Sequence, residues 1–223
     1  MNAGFSNLTS LKAQLLANNL QAKTDWDAKV AAIGIGVAAS FGRFCNRDFA
    51  YKAGIQEIAQ GDRSFWYCRT TPVSQFTNVE LRFFKADNWV SIMGQPVQAD
   101  EEKGLIHFGY TLGRAPIQFR LTYNGGFIWE QKEPTDDGYP TAVPADITNN
   151  AAGIDPAKFI LPADLLFAWQ MQCRKVWESI DKIGSKILEV GSNARNPVEV
   201  MAGLDLIPEV KTILQSYIRY QLT

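Results

Sequence analysis

The spacing of apolar positions divides the chain into three stretches with different periods. In the first, Leu8, Leu11 and Leu15 share one face of a short helix, and Asn18 and Asn19 suit its end. A longer stripe follows. Trp26, Val30, Ile33, Val37, Phe41 and Phe44 recur every three or four residues and predict a long helix. Thr24-Asp25-Trp26-Asp27 resembles a capping box at its start, with Asp27 where Glu is usual. Gly34, Gly36 and Gly42 each weaken such a helix by up to about 1 kcal/mol relative to alanine, so something is expected to pack closely against them.

From about residue 50 to 128 the helical period is lost. Ser64–Arg69, Val73–Phe84, Trp89–Met93, Leu105–Phe108 and Ile117–Tyr123 are rich in β-branched and aromatic residues. Gly61-Asp62, Gly94, Gly104, Gly113 and Asn124-Gly125-Gly126 punctuate them. No helical crossover separates these strands, which predicts an antiparallel meander or a barrel-like insertion. Residues 131–158 then carry Pro134, Pro140, Pro144, Pro156 and Asp136-Asp137-Gly138, and read as a long extended arm.

The last stretch is helical again. Leu166, Trp169, Cys173, Val176, Ile180, Ile183, Ile187 and Val190 alternate spacings of three and four, a heptad-like seam. Pro162 suits its first turn and Gly191 its stop. Arg174, Glu178 and Lys182 form an i, i+4 ladder on another face. Asn196-Pro197 opens a short helix, and Pro208 opens the last, with Val210, Ile213, Leu214 and Tyr217 on its apolar side. The predicted fold is α+β and mainly α. Its helical bundle is built from N-terminal helices (1–49) and from C-terminal helices with a closing segment (160–223). An antiparallel β insertion (50–130) and an acidic, proline-rich arm (131–159) lie between them.

Charge and composition narrow the classes. The 223 residues hold 22 basic and 23 acidic side chains, a formal net charge of −1, which excludes a histone-like nucleic-acid binder but not a local basic patch. The one departure along the chain is residues 131–160, net −3. Cys45, Cys68 and Cys173 are far apart and form no CxxC pair, and His107 is the single histidine. This predicts neither a zinc site nor a disulfide framework, and fits a reducing cytoplasm. Met1–Ser10 lacks the pattern of a secretory signal. Val30–Phe41, the most apolar run, is about half the length a bilayer requires, so a soluble protein is expected.

Candidate chemistry is sparse. Gly34-Ile35-Gly36-Val37-Ala38-Ala39 matches GxGxxA, but a dinucleotide fingerprint needs a strand before its glycines, and this stretch reads as helix. The acidic residue expected further on would have to be Glu57, in a strand-like context. His107, between apolar neighbours in Leu105-Ile106-His107-Phe108, reads as a structural histidine. Asp100-Glu101-Glu102 and Asp136-Asp137 stand in turn-like surroundings and read as solvated acids. No GxSxG elbow and no GxxxxGK[ST] loop occurs. Arg43 and Arg47, interleaved with Phe41, Phe44 and Phe49, form a small basic-aromatic cluster suited to a helix C-terminus or to phosphate contact. Trp66, Tyr67 and Trp89 offer an aromatic platform for a sugar or peptide, against the default of burial.

The order of these elements resembles the head–tail connector (adaptor, or head-completion) proteins of tailed bacteriophages. The leucine helix precedes a long helix ending Phe41-Gly42-Arg43-Phe44-Cys45-Asn46-Arg47-Asp48-Phe49, similar to the family's Gly-Arg-x-Phe ending. Thr71-Pro72-Val73 resembles its Pro-Val opening of a strand, and Leu121-Thr122-Tyr123-Asn124-Gly125-Gly126-Phe127 its Tyr-x-Gly-Gly-aromatic turn. Ile160-Leu161-Pro162-Ala163-Asp164-Leu165 and the closing Leu206–Tyr220 complete the series, while the β region at 76–120 and the arm at 131–158 are longer than in small members.

The resemblance implies a structural virion protein made in the host cytoplasm and neither an enzyme nor a cofactor binder. It would form a homo-oligomeric ring of twelve copies, docked on the portal protein, that extends the channel for genomic DNA and carries the next neck or tail protein. It implies Tyr217, Ile218, Arg219 and Tyr220 as the portal-contact segment. Asp136, Asp137, Tyr139 and Pro140 are the expected inter-subunit arm, and Arg43 and Arg47 the expected phosphate or lumen contacts. Rival expectations are another neck component, a stopper or tail terminator, and a dinucleotide-dependent enzyme through Gly34 and Gly36.

Overall fold

Helix-forming sequence lies at both ends of the chain and strand-forming sequence between them, and the structure keeps that division. It is a computed structural model that describes residues 4–6, 8–16, 24–60, 65–92, 97–100, 103–108, 117–128, 147, 155–189 and 205–219. The fold is α+β, with helices α1 (Leu8–Leu15), α2 (Asp27–Cys45), α3 (Ala163–Glu189) and α4 (Pro208–Gln215) among the described residues. The chain separates into a helical unit, which holds Met1–Asn46 and Pro162–Ile218, and a β unit, which holds Arg47–Ile128, Ala142–Leu161 and Arg219–Thr223.

In the helical unit the expected stripe of α2 is the buried one: Val30, Ile33, Val37 and Phe41 are inside, and Cys45 rather than Phe44 closes the row. With its leading turn, Thr24–Cys45 contains an 18-residue window of mean hydropathy 1.3 and is long and apolar enough to cross a membrane by length and composition. That exceeds the half-length read from Val30–Phe41, because Ala28, Phe44 and Cys45 continue the run on either side, past Lys29 and Arg43. The buried stripe shows what this apolarity does here: it fills the core of the unit.

The start of α2 differs from the expected capping box. Thr24–Trp26 is a 3-10 turn, and Trp26 occupies the cap position with helical backbone angles and no side-chain cap bond. Aromatic packing holds it instead. The Trp26 and Trp177 rings meet edge-on at 5.6 Å, and the Lys29 ammonium sits 5.1 Å from each ring centre. At the other end Asn46 adopts φ 51°, ψ 42°, and its N–H reaches back to the carbonyls of Gly42 and Arg43. That is the left-handed stop asparagine tolerates.

Burial on α3 begins at Leu165, not Leu166, and takes in Ala168, Trp169, Gln172, Cys173 and Val176. This stripe is wider than a two-position heptad seam, as a helix surrounded by several partners requires. Side chains of the later seam positions, Ile180 to Val190, lie outside the described residues, as do Asn18, Asn19 and the helix expected at Asn196. Helix α4 starts with Pro208 in its first turn and buries Val210 and Leu214, as its pattern predicts.

The β unit has two antiparallel sheets. One runs β1 (Lys52–Gln60), β7 (Gln118–Gly125), β3 (Val73–Arg82), β4 (Val90–Ser91) in spatial order; the other runs β2 (Phe65–Tyr67), β6 (Leu105–Phe108), β5 (Val97–Asp100). On β7 alternate residues point inward, so Phe119, Leu121 and Tyr123 join Cys68, Val73, Val79 and Ile106 in one core. Strands β1 and β5 have no counterpart among the predicted strands. β1 breaks its own alternation with a register shift between Lys52 and Ile55, and the alternation of β5, Val97-Gln98-Ala99-Asp100, lasts only four residues. After β7 the chain turns through Gly126 at φ +108°, where an added Cβ would lie 2.5 Å from the Ala50 carbonyl oxygen. Only glycine fits there without displacing the backbone.

Candidate functional site

Two of the residues singled out at the C-terminus, Tyr217 and Arg219, are hydrogen-bonded within the chain. The Tyr217 hydroxyl donates to Asp164 Oδ1 at 2.7 Å. Ile218 is half-buried. Arg219 is a hub of the β unit: its guanidinium donates to the Cys68 carbonyl at 2.6 Å, to Thr71 Oγ1 at 2.7 Å and to the Lys103 carbonyl at 2.8 Å. Burial lowers the Arg219 pKa, while Cys68, Tyr123 and Glu57 push the other way. Tyr220 and the arm residues Asp136, Asp137, Tyr139 and Pro140 lie outside the described residues.

The arginine pair also splits. Arg43 is exposed and donates to Ser40 Oγ at 3.1 Å. Arg47 is 8% exposed and donates to the Thr71 carbonyl at 2.6 Å. Its guanidinium lies 4.7 Å from the Phe49 ring centre and 5.5 Å from that of Phe127. Of the two residues expected at phosphate, Arg43 alone presents its charge to solvent in this chain. Arg47 is withdrawn because its neighbours Phe49 and Phe127 bury it.

Glu57 has a role that its sequence context did not reveal. It accepts from the Trp66 indole N–H at 3.0 Å, from the Arg69 backbone N–H at 2.8 Å and from the Tyr123 hydroxyl. The same hydroxyl accepts from the Thr70 N–H at 3.1 Å. Burial pushes the Cys68 thiol well up, with Glu57 adding to it, and burial likewise raises the Tyr123 phenol. This network ties β1 and β7 to the segment after β2. It is a structural polar core, and Glu57 is not the ribose acid of a nucleotide site. No signal in the sequence joins residues 57, 66, 69 and 123, because contacts between the two sheets bring them together.

The GxGxxA stretch is the middle of α2, with no strand before it, so it lacks the geometry that would aim helix-terminal N–H groups at a pyrophosphate. Its glycines do two other things. Gly34 is buried; its carbonyl accepts from the Trp169 indole at 3.0 Å, and an added Cβ on Gly4 would meet its oxygen at 2.5 Å. That is the close packing expected of these glycines. Gly36 faces open space: nothing lies within 4 Å of where its Cβ would be. It lines a groove of about 200 Å³ together with the apolar Ile33, Val37, Val176 and Leu206 and the polar Ser40 and Arg43.

His107 is exposed on β6, opposite Phe65 and Gln98, and not enclosed as its apolar neighbours suggested, because strand alternation turns it away from Ile106. Asp100 accepts from the Lys103 N–H at 3.1 Å and from its ammonium at 2.9 Å, and these bonds lower its pKa. The aromatic platform is already occupied. Trp66 is held by Glu57, and Trp89 packs against the guanidiniums of Arg82 at 4.4 Å and Arg120 at 4.7 Å. The described residues contain no cluster of three or more His, Cys, Asp or Glu side chains able to hold a metal.

One exposed apolar feature was not marked by the pattern of apolar positions. Phe83 and Phe84, on the turn that joins β3 to β4, are 55% and 60% exposed, and Val90, the first residue of β4, is 57% exposed. The turn is firmly built. Phe84 N–H donates to Asp87 Oδ2 and Asp87 N–H to the Phe84 carbonyl, both at 2.9 Å. Arg82 clamps its base through the Lys85 carbonyl at 2.9 Å and Gln118 Oε1 at 2.6 Å. The signal available beforehand was Phe83-Phe84 running on from a strand into Lys85-Ala86-Asp87-Asn88, where both rings cannot face a core.

No family model matches the chain, and no curated protein matches it. Solved structures do share its fold. A chain of the neck of an empty gene transfer agent (GTA) particle, computed with C6 symmetry, aligns at a TM-score of 0.53 and 13% identity over 98% of this chain and 92% of that one. A chain from the virion of a native gene transfer agent particle aligns at 0.54 and 11%, with the same coverage. At these identities the likeness is one of fold, and it spans both the helical and the β unit.

Proposed function

We propose that this protein is a structural component of a phage-like virion neck: a head-to-tail adaptor that assembles as a ring on the portal. The observation that carries the reading is a fold shared over 98% of the chain with a chain of a gene transfer agent neck. The ordered sequence features that resemble bacteriophage connectors support it independently. In this role the ring has twelve copies, docks on the portal protein, continues the DNA channel and offers a platform to the next neck or tail protein. Near-neutral charge suits a channel that DNA must leave, since phosphate contacts dominate affinity for DNA. The chain acts by assembly and not by catalysis, and DNA passes without sequence-specific binding. An isolated stopper or tail terminator is disfavoured by the helical share of the fold, since those components are β-dominated.

The test is to mix purified protein with portal rings and image the particles, with each component alone as control. A new ring stacked on the portal is expected. A compact monomer beside bare portals overturns the adaptor reading. A ring that forms without the portal and fails to dock on it points to another neck component.

A further inference from the structure

A ring needs two different faces on each subunit that fit one another, and the chain carries such a pair. We propose that the Phe83-Phe84 turn of one copy inserts into the groove beside Gly36 on the helical unit of the next. This rests on the ring reading above, which it deepens by naming the contact.

Three observations converge. The first is size. A cavity of about 150 Å³ accepts a benzene molecule, and the groove holds about 200 Å³ because Gly36 leaves out the side chain that would fill it. One phenyl ring fits, and the second covers the mouth. The second is preparation. Phe83 and Phe84 stand out on a turn already fixed by Asp87 and Arg82, so docking orders little that was free. The third is charge. The turn carries one cation and one anion, Lys85 and Asp87. The groove is lined by the exposed Arg43. Asp87 on the turn therefore has its opposite in Arg43 at the groove, which favours one orientation.

Two variants separate the faces. Phe83→Ser with Phe84→Ser removes the insert from exposed positions. Gly36→Leu fills the groove from a position with open space around it, and replaces a glycine inside a helix, so α2 is not weakened. Circular dichroism confirms that both stay folded. Sedimentation velocity from micromolar to millimolar protein then measures association. The wild type is expected to form oligomers, and each variant alone to associate at least about 30-fold more weakly, the loss of one central anchor. An equimolar mixture of the two variants retains one intact insert and one intact groove, and should stop at dimers.

Variants that assemble like wild type, alone or on portals, overturn the contact and leave the adaptor reading standing. Wild-type oligomers that the variants abolish, with no ring on portals, uphold the contact and overturn the adaptor reading. A wild type monomeric at every concentration and on portals overturns both.

Discussion

Arg219→Ala should destabilise the β unit by about 3 kcal/mol. The side chain makes three hydrogen bonds through a charged group, to Cys68, Thr71 and Lys103. Hydrogen bonds of this kind are worth about 1.5–3 kcal/mol each, and the half-buried setting of Arg219 argues for the lower figure. Three such bonds come to about 4.5 kcal/mol. Freeing the side chain on truncation returns about 1.5–2 kcal/mol of rotamer entropy, which leaves the net loss stated. Urea unfolding measures it as a lowered midpoint at unchanged slope. Hydrogen exchange locates it, with faster exchange at Cys68–Thr71 and Lys103–His107. Arg219→Lys should recover less than half, since a single ammonium cannot reach three acceptors that a planar fork spans. A loss below about 0.5 kcal/mol, the range of an ordinary surface change, with unaltered exchange, refutes the reasoning. It would return Arg219 to the list of groups free to touch a portal.

Tyr123→Phe keeps the ring but leaves the Thr70 N–H and Glu57 without the hydroxyl, and should cost about 1–3 kcal/mol by the same urea assay. Gly36→Ala should stabilise α2 by up to about 1 kcal/mol, because it removes a helical glycine where nothing obstructs the methyl; Gly126→Ala, at φ +108° against Ala50, should destabilise by at least as much. The three cysteines are buried, and burial raises the thiols of Cys68 and Cys173. Native protein should therefore leave a thiol reagent unconsumed at pH 8, and denatured protein should consume three equivalents; rapid native reaction would contradict the burial. A raised thiol pKa stabilises the fold fully below the unfolded value, about 8.5, and that contribution is lost as pH rises past it. Asp100 has the opposite sign: its lowered pKa helps above about 3.9, the unfolded value, and the help is lost as pH falls through the folded value, which exchange at the Lys103 amide would report.

Much of the architecture is local information. The helical stripe from Val30 to Phe41, the Pro208 start of α4 and the alternation of Phe119, Leu121 and Tyr123 follow from side-chain periods that any burial would enforce. Such periods place a residue on a face; they do not say what stands opposite. For that reason the sequence marked Trp26 as part of a stripe but could not supply Trp177 as its partner, 151 positions away. It also marked Arg43 and Arg47 as one cluster, although one is at the surface and the other beneath two aromatic rings.

What the sequence determined by itself is the division into helical ends and a β middle, the helical nature of the GxGxxA glycines and the orientation of most apolar residues. Each depends on neighbours within one or two turns or along one strand. Only the tertiary structure decided that Glu57, Tyr123 and Arg219 are framework, that Gly36 opens a groove while Gly34 closes a packing contact, and that Phe83 and Phe84 remain outside. The framework and packing roles arise from contacts such as Glu57–Tyr123, Gly34–Trp169 and Arg219–Cys68, 66, 135 and 151 residues apart, and the free energy of such a pairing resides in the joined surfaces, not in either segment alone.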